Sequence, residues 1–233
     1  MAMDMWAAEL TRPLTAAEDA ALAALLPPER RARLGADPGR RREPLCAYAL
    51  LLEILERRLG WRTFPAMETA AAGKPFFPGF PQVHFSLSHT AGLVAVAVDD
   101  RPLGIDVEKL GPVPLRLGRR LTGWTTEEDF FCLWVRREAR AKRTGGGIFS
   151  MLDYEPPLEA GEGYWPLELL PGFAAGLAGA EENYTGHVRC LTMEELLERS
   201  MRQSFIPVVD DRGAFVGIVT RQNIIRRLTT PAV

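Results

Sequence analysis

Residues 83–108 read VHFSLSHTAGLVAVAVDDRPLGIDVE, and they limit the fold more than any other part of the chain. Residues 83–88 read as a strand. Residues 93–98 give Leu-Val-Ala-Val-Ala-Val, apolar at every position, which suits a strand buried on both faces. Asp99, Asp100, Arg101 and Pro102 supply a polar turn, and residues 103–107 read as a third strand. Two features of this block go beyond packing. Ser88 and His89 stand where the first strand ends. Asp106 and Glu108 are two apart, so their carboxylates point to one face of a strand. Two carboxylates on one face repel unless a cation lies between them, and oxygen donors of this kind suit Mg²⁺, which often completes its shell with substrate phosphates.

Helical segments flank the block. Thr15 and Glu18 form a capping-box pattern that starts a helix through about Leu26, where Pro27 and Pro28 stop it. The next segment holds Arg30, Arg31, Arg33, Arg40, Arg41 and Arg42. Such a cluster beside a helix start suits phosphate, but by itself it reads as a solvated helix face. Asp37 and Pro38 look like an N-cap and first-turn pair. From there a long helix runs to about Leu59, with Leu45, Ala49, Leu52, Leu55 and Leu59 on one face and Gly60 placed to end it. Residues 70–79, AAAGKPFFPG, read as a loop whose Lys74 is held extended by Pro75. Thr125 and Glu128 make a second capping-box pattern before a strong helix. On that helix Phe131, Trp134, Glu138 and Lys142 share a face, and three glycines at 145–147 break it. A surface Glu–Lys pair belongs opposite the core, whereas this one lies on the apolar side. Further strands are expected at 167–170, 172–178 and 187–191, with a short helix at 193–199. His187 reads as a surface histidine.

Composition excludes several classes. A net charge of −2 gives no global basic field for nucleic acid. No apolar run approaches a membrane span, and the N-terminus lacks the pattern of a secretory signal. Cys46, Cys132 and Cys190 are scattered, as in a reduced, cytoplasmic protein. The absence of a P-loop or kinase glycine loop argues against common nucleotide-phosphate transferases.

Four motifs occur in order: Gly73-Lys74-Pro75, Ser86-Leu87-Ser88-His89, Gly104-Ile105-Asp106-Val107-Glu108, and a helical run from Trp134 through Glu138 to Lys142. Together they resemble the surfactin-type 4′-phosphopantetheinyl transferases, over residues 14–197. The resemblance implies an α/β (α+β) pseudo-dimer of two similar halves, residues 1–100 and 101–198, with coenzyme A between them. It implies transfer of the phosphopantetheine arm to a serine of an apo acyl or peptidyl carrier protein, with release of 3′,5′-ADP. By motif, Asp106, Glu108 and Glu138 would hold Mg²⁺, and Glu138 would also act as base. Lys142 would neutralise the leaving phosphate. His89, Lys74 and Arg42 would bind the 3′-phosphate of coenzyme A, with Ser88 in support. Two departures stand out: Arg137 replaces the usual lysine before the helix glutamate, and the 111–124 connection is shorter than the family's.

The tail, residues 199–233, resembles the second half of a cystathionine-β-synthase (CBS) motif. It reads as a β-hairpin, with strands at 205–209 and 215–219 and a turn at 210–213, followed by a helix at 221–228. Asn223 replaces the usual Asp of that motif. A monomer is expected unless this tail mediates association. The second reading is therefore a weakened transferase fold serving as a regulatory module through its tail; intact Asp106, Glu108, Glu138 and Lys142 favour the enzyme.

Overall fold

The computed structural model describes residues 2–35, 37–113, 118, 119, 121, 123–152, 154–202, 205–209 and 215–220. In chain order the elements are β1 (Asp4–Glu9), α1 (Ala16–Ala24), α2 (Pro28–Arg33), α3 (Pro38–Leu59), β2 (Glu68–Thr69), β3 (Pro75–Phe76), β4 (His84–Thr90), β5 (Leu93–Asp99) and β6 (Gly104–Lys109). There follow α4 (Glu127–Thr144), β7 (Glu162–Pro166), β8 (Phe173–Ala180), β9 (Val188–Leu191), α5 (Met193–Arg202), β10 (Phe205–Val209) and β11 (Phe215–Thr220). None of the described helices is long and apolar enough to cross a membrane.

Two sheets organise these elements. The first runs β4-β5-β1-β9 and the second β6-β8-β7. β5 sits between two cores, as its unbroken apolar run requires. Val94, Val96 and Val98 face α3, joining Leu45, Leu50, Leu51, Ile54 and Leu55. Leu93, Ala95 and Ala97 face the second sheet, joining Leu103, Ile105, Val107 and Leu177. Each fully buried Leu, Ile or Val contributes roughly 1.5–3 kcal/mol by leaving water. Each sheet thus carries one long helix, α3 on the first and α4 on the second, in the mixed α/β arrangement expected.

The helix ends follow their sequence signals. Thr15 and Glu18 close a capping box on α1. Asp37 caps α3, and Gly60 ends it in the left-handed conformation at φ 73°. Three local expectations are corrected. Pro28 does not only stop α1; as a first-turn proline it starts the short α2. The cap on α4 is Thr126 with Asp129, one position beyond the Thr125–Glu128 pattern, and Asp129 also accepts from the Thr125 hydroxyl at 2.5 Å. Residues 167–170 form no strand. The strand lies earlier, as β7, and Pro166 ends it; Pro171 and Gly172 then turn the chain into β8. Within the 70–79 loop, Pro75 and Phe76 pair with β2.

After β8 the chain returns to the first sheet. β9 pairs parallel to β1, and Leu191, Met193, Leu196 and Leu197 enter the α3 core. β10 and β11 pair as the expected antiparallel hairpin. The expected turn at 210–213 and helix at 221–228 lie outside the described residues.

Candidate active site

The site forms where β4 of one sheet meets β6 of the other. These strands exchange no backbone ladder. Instead, side-chain hydroxyls on alternate β4 residues accept the N–H groups of alternate β6 residues. Ser86 accepts from Ile105 at 3.1 Å, Ser88 from Val107 at 3.1 Å and Thr90 from Lys109 at 3.3 Å. The Ser-x-Ser-x-Thr alternation joins two sheets that would otherwise leave strand edges unpaired. Ile105 and Val107 turn to the core, so Gly104, Asp106 and Glu108 face α4. Gly104 permits the approach: a Cβ there would lie 2.0 Å from the Ala139 carbonyl oxygen and 2.8 Å from the Lys142 Cβ. Its need for glycine comes from this contact.

That closeness brings the predicted residues together. Lys142 Nζ donates to Asp106 Oδ1 at 2.6 Å, to Ser88 Oγ at 3.0 Å and to the Ile105 carbonyl at 3.2 Å. Ser88 donates to the same Asp106 oxygen at 2.7 Å. With Val107 N–H and Lys142 as donors to it, the Ser88 hydroxyl has used its one proton and both lone pairs. Two side chains expected in separate roles, Asp106 on the metal and Lys142 on the leaving phosphate, are thus a bonded pair. Trp134 Nε1 donates to Glu108 Oε1 at 3.1 Å. The shared face of Phe131, Trp134, Glu138 and Lys142 therefore makes polar contacts with β4 and β6, through Trp134 and Lys142, as well as packing.

The electrostatics of the cluster are unresolved in the physical sense. Burial, then the Asp106 charge, pushes Glu108 up to about 7. Glu138 is likewise raised, by burial first and Asp106 second, with Lys142 opposing. Asp106 is buried, and its Oδ2 has no hydrogen-bond partner among the described residues. An unpartnered buried carboxylate oxygen beside two carboxyls of raised pKa is a donor set short of positive charge. Oxygen-only donors of this kind fit a hard divalent cation such as Mg²⁺. Among the described residues, however, no group of three or more His, Cys, Asp or Glu side chains is arranged to hold a metal ion.

A cavity of about 550 Å³ opens beside this cluster. Lys74, Ser86, Leu87, Glu138, Lys142 and residues 145–149 are among those that line it. Lys74 donates to the Leu103 carbonyl at 2.9 Å and the Lys142 carbonyl at 2.6 Å. Burial, helped by the charges of Arg143 and Lys142, lowers its pKa to about 8. In this arrangement its ammonium ties the 70–79 loop to α4 and β6. His89 is exposed, and surrounding protein together with Lys142 lowers its pKa; Glu43 and Asp106 act the other way. Arg42 donates to Glu43 at 2.6 Å and to the Arg12 carbonyl at 3.0 Å.

The sequence gave no sign of how the arginine cluster divides. Arg41 pairs with Asp19 at 3.0 Å, and Arg40 lies 3.5 Å from Asp37. Arg30 and Arg33 instead converge on the Thr69 hydroxyl, at 3.1 and 3.0 Å. Among the described residues neither has a carboxylate partner. Thr69 pairs with Pro75 across the β2–β3 ribbon, so these two cations lie one ribbon away from the cavity wall. The bonds to Arg30 and Arg33 are made by tertiary contact, which single-sequence periodicity does not reveal.

The chain is similar in sequence to several 4′-phosphopantetheinyl transferases. The chain is 28% identical over 155 residues to the 4′-phosphopantetheinyl transferase Sfp of Bacillus subtilis strain 168, covering 55% of this chain and 69% of that protein. It is 31% identical over 158 residues to the 4′-phosphopantetheinyl transferase psf-1 of Bacillus pumilus, covering 57% of this chain and 68% of the relative. The 4′-phosphopantetheinyl transferase gsp of Aneurinibacillus migulanus is similar over a shorter stretch, 27% over 89 residues, which covers 33% of this chain and 37% of that protein. The family model for the CBS domain matches residues 191–230, so that likeness reaches upstream into the end of β9 and into α5.

Proposed function

The chain belongs to the Sfp-type 4′-phosphopantetheinyl transferase family, and we propose that it moves the phosphopantetheine arm of coenzyme A onto a serine of an apo carrier protein in a Mg²⁺-dependent reaction. The observation that carries this reading is the carboxylate cluster beside the cavity: Asp106 with an unpartnered buried oxygen, flanked by Glu108 and Glu138 of raised pKa. Held by Asp106, Glu108 and Glu138, Mg²⁺ would neutralise charge on the pyrophosphate as it breaks.

The chain's own groups supply the rest. Glu138 lines the cavity, where its carboxylate is the candidate base. It accepts the proton of the carrier serine while the serine oxygen attacks the pantetheine-side phosphorus. The bond from that phosphorus to the bridging oxygen breaks, and the electron pair leaves on 3′,5′-ADP. Lys142 stands on the same wall as a cation held ready by Asp106 and Ser88, placed to meet that developing charge. For the 3′-phosphate we retain His89 and Arg42, with Arg42 exchanging Glu43 for phosphate. Arg30 and Arg33 provide a second pair that has no carboxylate to displace. Lys74 contributes by fixing the loop through its two carbonyl contacts.

The test is mass spectrometry of an apo acyl carrier protein incubated with this protein, coenzyme A and Mg²⁺. The proposal expects a gain of one phosphopantetheine mass, lost when the metal is chelated. No gain with acyl or peptidyl carriers, from folded protein, would refute it. In the same assay His89→Ala and Arg42→Ala should raise the KM for coenzyme A more than that for dephospho-coenzyme A.

A further inference from the structure

Tyr164 crosses the second sheet toward the carboxylate cluster. It stands on β7 opposite Ala178 of β8, while Gly176 of β8 stands opposite Asp106 of β6. Its neighbour Trp165 points to the other face and stacks on Tyr184 at 4.0 Å. Tyr164 therefore faces α4, where Arg136 lies over its ring at 5.5 Å. The ring leans over Gly176: a Cβ there would collide with the Tyr164 hydroxyl oxygen and lie 2.8 Å from Cε2. On this face β8 offers Ala174, Gly176 and Ala178, small enough to leave the ring a path beneath α4. The hydroxyl is thus delivered onto the strand that pairs with Asp106.

We propose that Tyr164 is a positioning residue for the metal site, its hydroxyl supplying, through one bridging water, the hydrogen bond that Asp106 Oδ2 lacks; this rests on the Mg²⁺-dependent transfer reading above. The two oxygens of Asp106 stand in different circumstances. Oδ1 receives Ser88 from β4 and Lys142 from α4. Oδ2 is buried and receives no described residue. Toward β8 the neighbouring side chains are alanine and glycine, which carry no donor, so the group that reaches across from that side is Tyr164.

Packing accounts for the ring but not for its oxygen. A phenylalanine would fill the same space and meet Arg136 in the same way. A buried tyrosine hydroxyl ordinarily has a partner, and this one bonds to none of the described residues. Burial first, then the neighbouring Cys132, Asp106 and Glu155, holds its pKa above the ordinary value against Arg136, so the hydroxyl keeps its proton to donate. A bridging water needs at least two polar partners, and the hydroxyl and Oδ2 provide them. Carboxylates that hold a metal are themselves hydrogen-bonded, and loss of such an outer partner costs about 10–100-fold in metal affinity or activity.

The experiment titrates the full chain and its Tyr164→Phe variant with Mg²⁺ alone, read by calorimetry, beside transfer to an apo acyl carrier protein. The Mg²⁺ dissociation constant of the variant should rise by about tenfold or more. The Mg²⁺ concentration for half-maximal transfer should rise with it, while the KM for the carrier stays unchanged. The melting temperature without Mg²⁺ should stay close to wild type, because the ring remains in place under α4. Equal Mg²⁺ affinity in two proteins that both transfer would overturn the proposal and leave the transfer reading standing. A metal-free melting temperature that falls along with Mg²⁺ affinity would make Tyr164 a packing residue and also overturn it. Wild type that binds Mg²⁺ more tightly than the variant, yet transfers nothing, would refute the transfer reading and leave Tyr164 in its positioning role.

Discussion

The two sides of α4 carry similar side chains in opposite electrostatic states. On the rear, Arg136, Arg137, Arg140 and Arg143 each have a carboxylate within 3.8 Å, and Arg140 with Glu162 is almost fully buried. On the front, Glu138 and Lys142 meet Asp106 and Glu108, where one cation faces three carboxyl groups and one buried oxygen has no partner. Packing alone would favour neutralising both sides. Every rear arginine has a carboxylate neighbour, although Arg137 Nε and Arg143 Nε lack a hydrogen-bond partner among the described residues; the front has an excess of carboxyl groups, which the proposed function assigns to a ligand. The difference separates fold-holding ions from chemistry on one helix, even though both sets are buried or half-buried.

Breaking the rear side should cost the most stability. Arg140→Ala leaves Glu162 and Glu155 without their central partner, and about 3–5 kcal/mol of unfolding free energy should disappear. Urea denaturation measures it; a loss below about 1 kcal/mol would mean the rear network is dispensable. On the front side Trp134→Phe keeps the ring but removes the hydrogen bond to Glu108. A bond to a charged group is worth about 1.5–3 kcal/mol of stability, so the melting temperature should fall less than in Arg140→Ala, and kcat/KM should fall as Glu108 loses its orientation. A variant with wild-type turnover would remove Glu108 orientation from the account.

Lys74 sharpens the comparison through pH. Its ammonium is disfavoured on folding, with the pKa lowered from 10.5 to about 8. Between those values the unfolded chain binds more protons than the folded one, so this group makes stability rise as pH increases from 8 to 10.5. Lys74→Met should flatten that rise, as read from melting temperatures across the window. A slope unchanged by the substitution would assign the rise to other groups. The smallest effect concerns the tail. A chain cut after Arg202 retains β9 and α5, whose Leu191, Met193, Leu196 and Leu197 belong to the main core. Its turnover per folded molecule should stay within about twofold of the full chain. Loss of activity in a folded truncation would bring the tail into the mechanism.

Much of this was legible in the chain. The apolar run of β5 required cover on both faces, and the two-residue spacing of Asp106 and Glu108 put both carboxyls toward α4. The three-to-four spacing of Trp134, Glu138 and Lys142 marked the opposing face. What escaped depends on contacts distant in sequence. Nothing local shows that Lys74 is taken up by two backbone carbonyls, or that Arg42 reaches the Arg12 carbonyl. The β4–β6 hydroxyl seam was visible as an alternation of Ser86, Ser88 and Thr90, but its meaning needs the second strand beside it. Residues 162–166 escaped as a strand because a glycine and a proline dilute the pattern. Their pairing depends on the small residues of β8, where Tyr164 packs over Gly176.

The central claim is that the front cluster is left short of positive charge so that it can take a divalent cation. The most direct measurement is the melting temperature of wild type and Asp106→Asn, each titrated with Mg²⁺ and read beside transfer to an apo carrier. The account predicts that Mg²⁺ raises the wild-type melting temperature and supports transfer. It predicts that Asp106→Asn stays folded, shows no Mg²⁺-dependent rise and loses at least about a hundredfold in kcat/KM, the scale for removing one group that stabilises transition-state charge. Equal Mg²⁺ stabilisation in both proteins, or near-wild-type Mg²⁺-dependent transfer by Asp106→Asn, would contradict it.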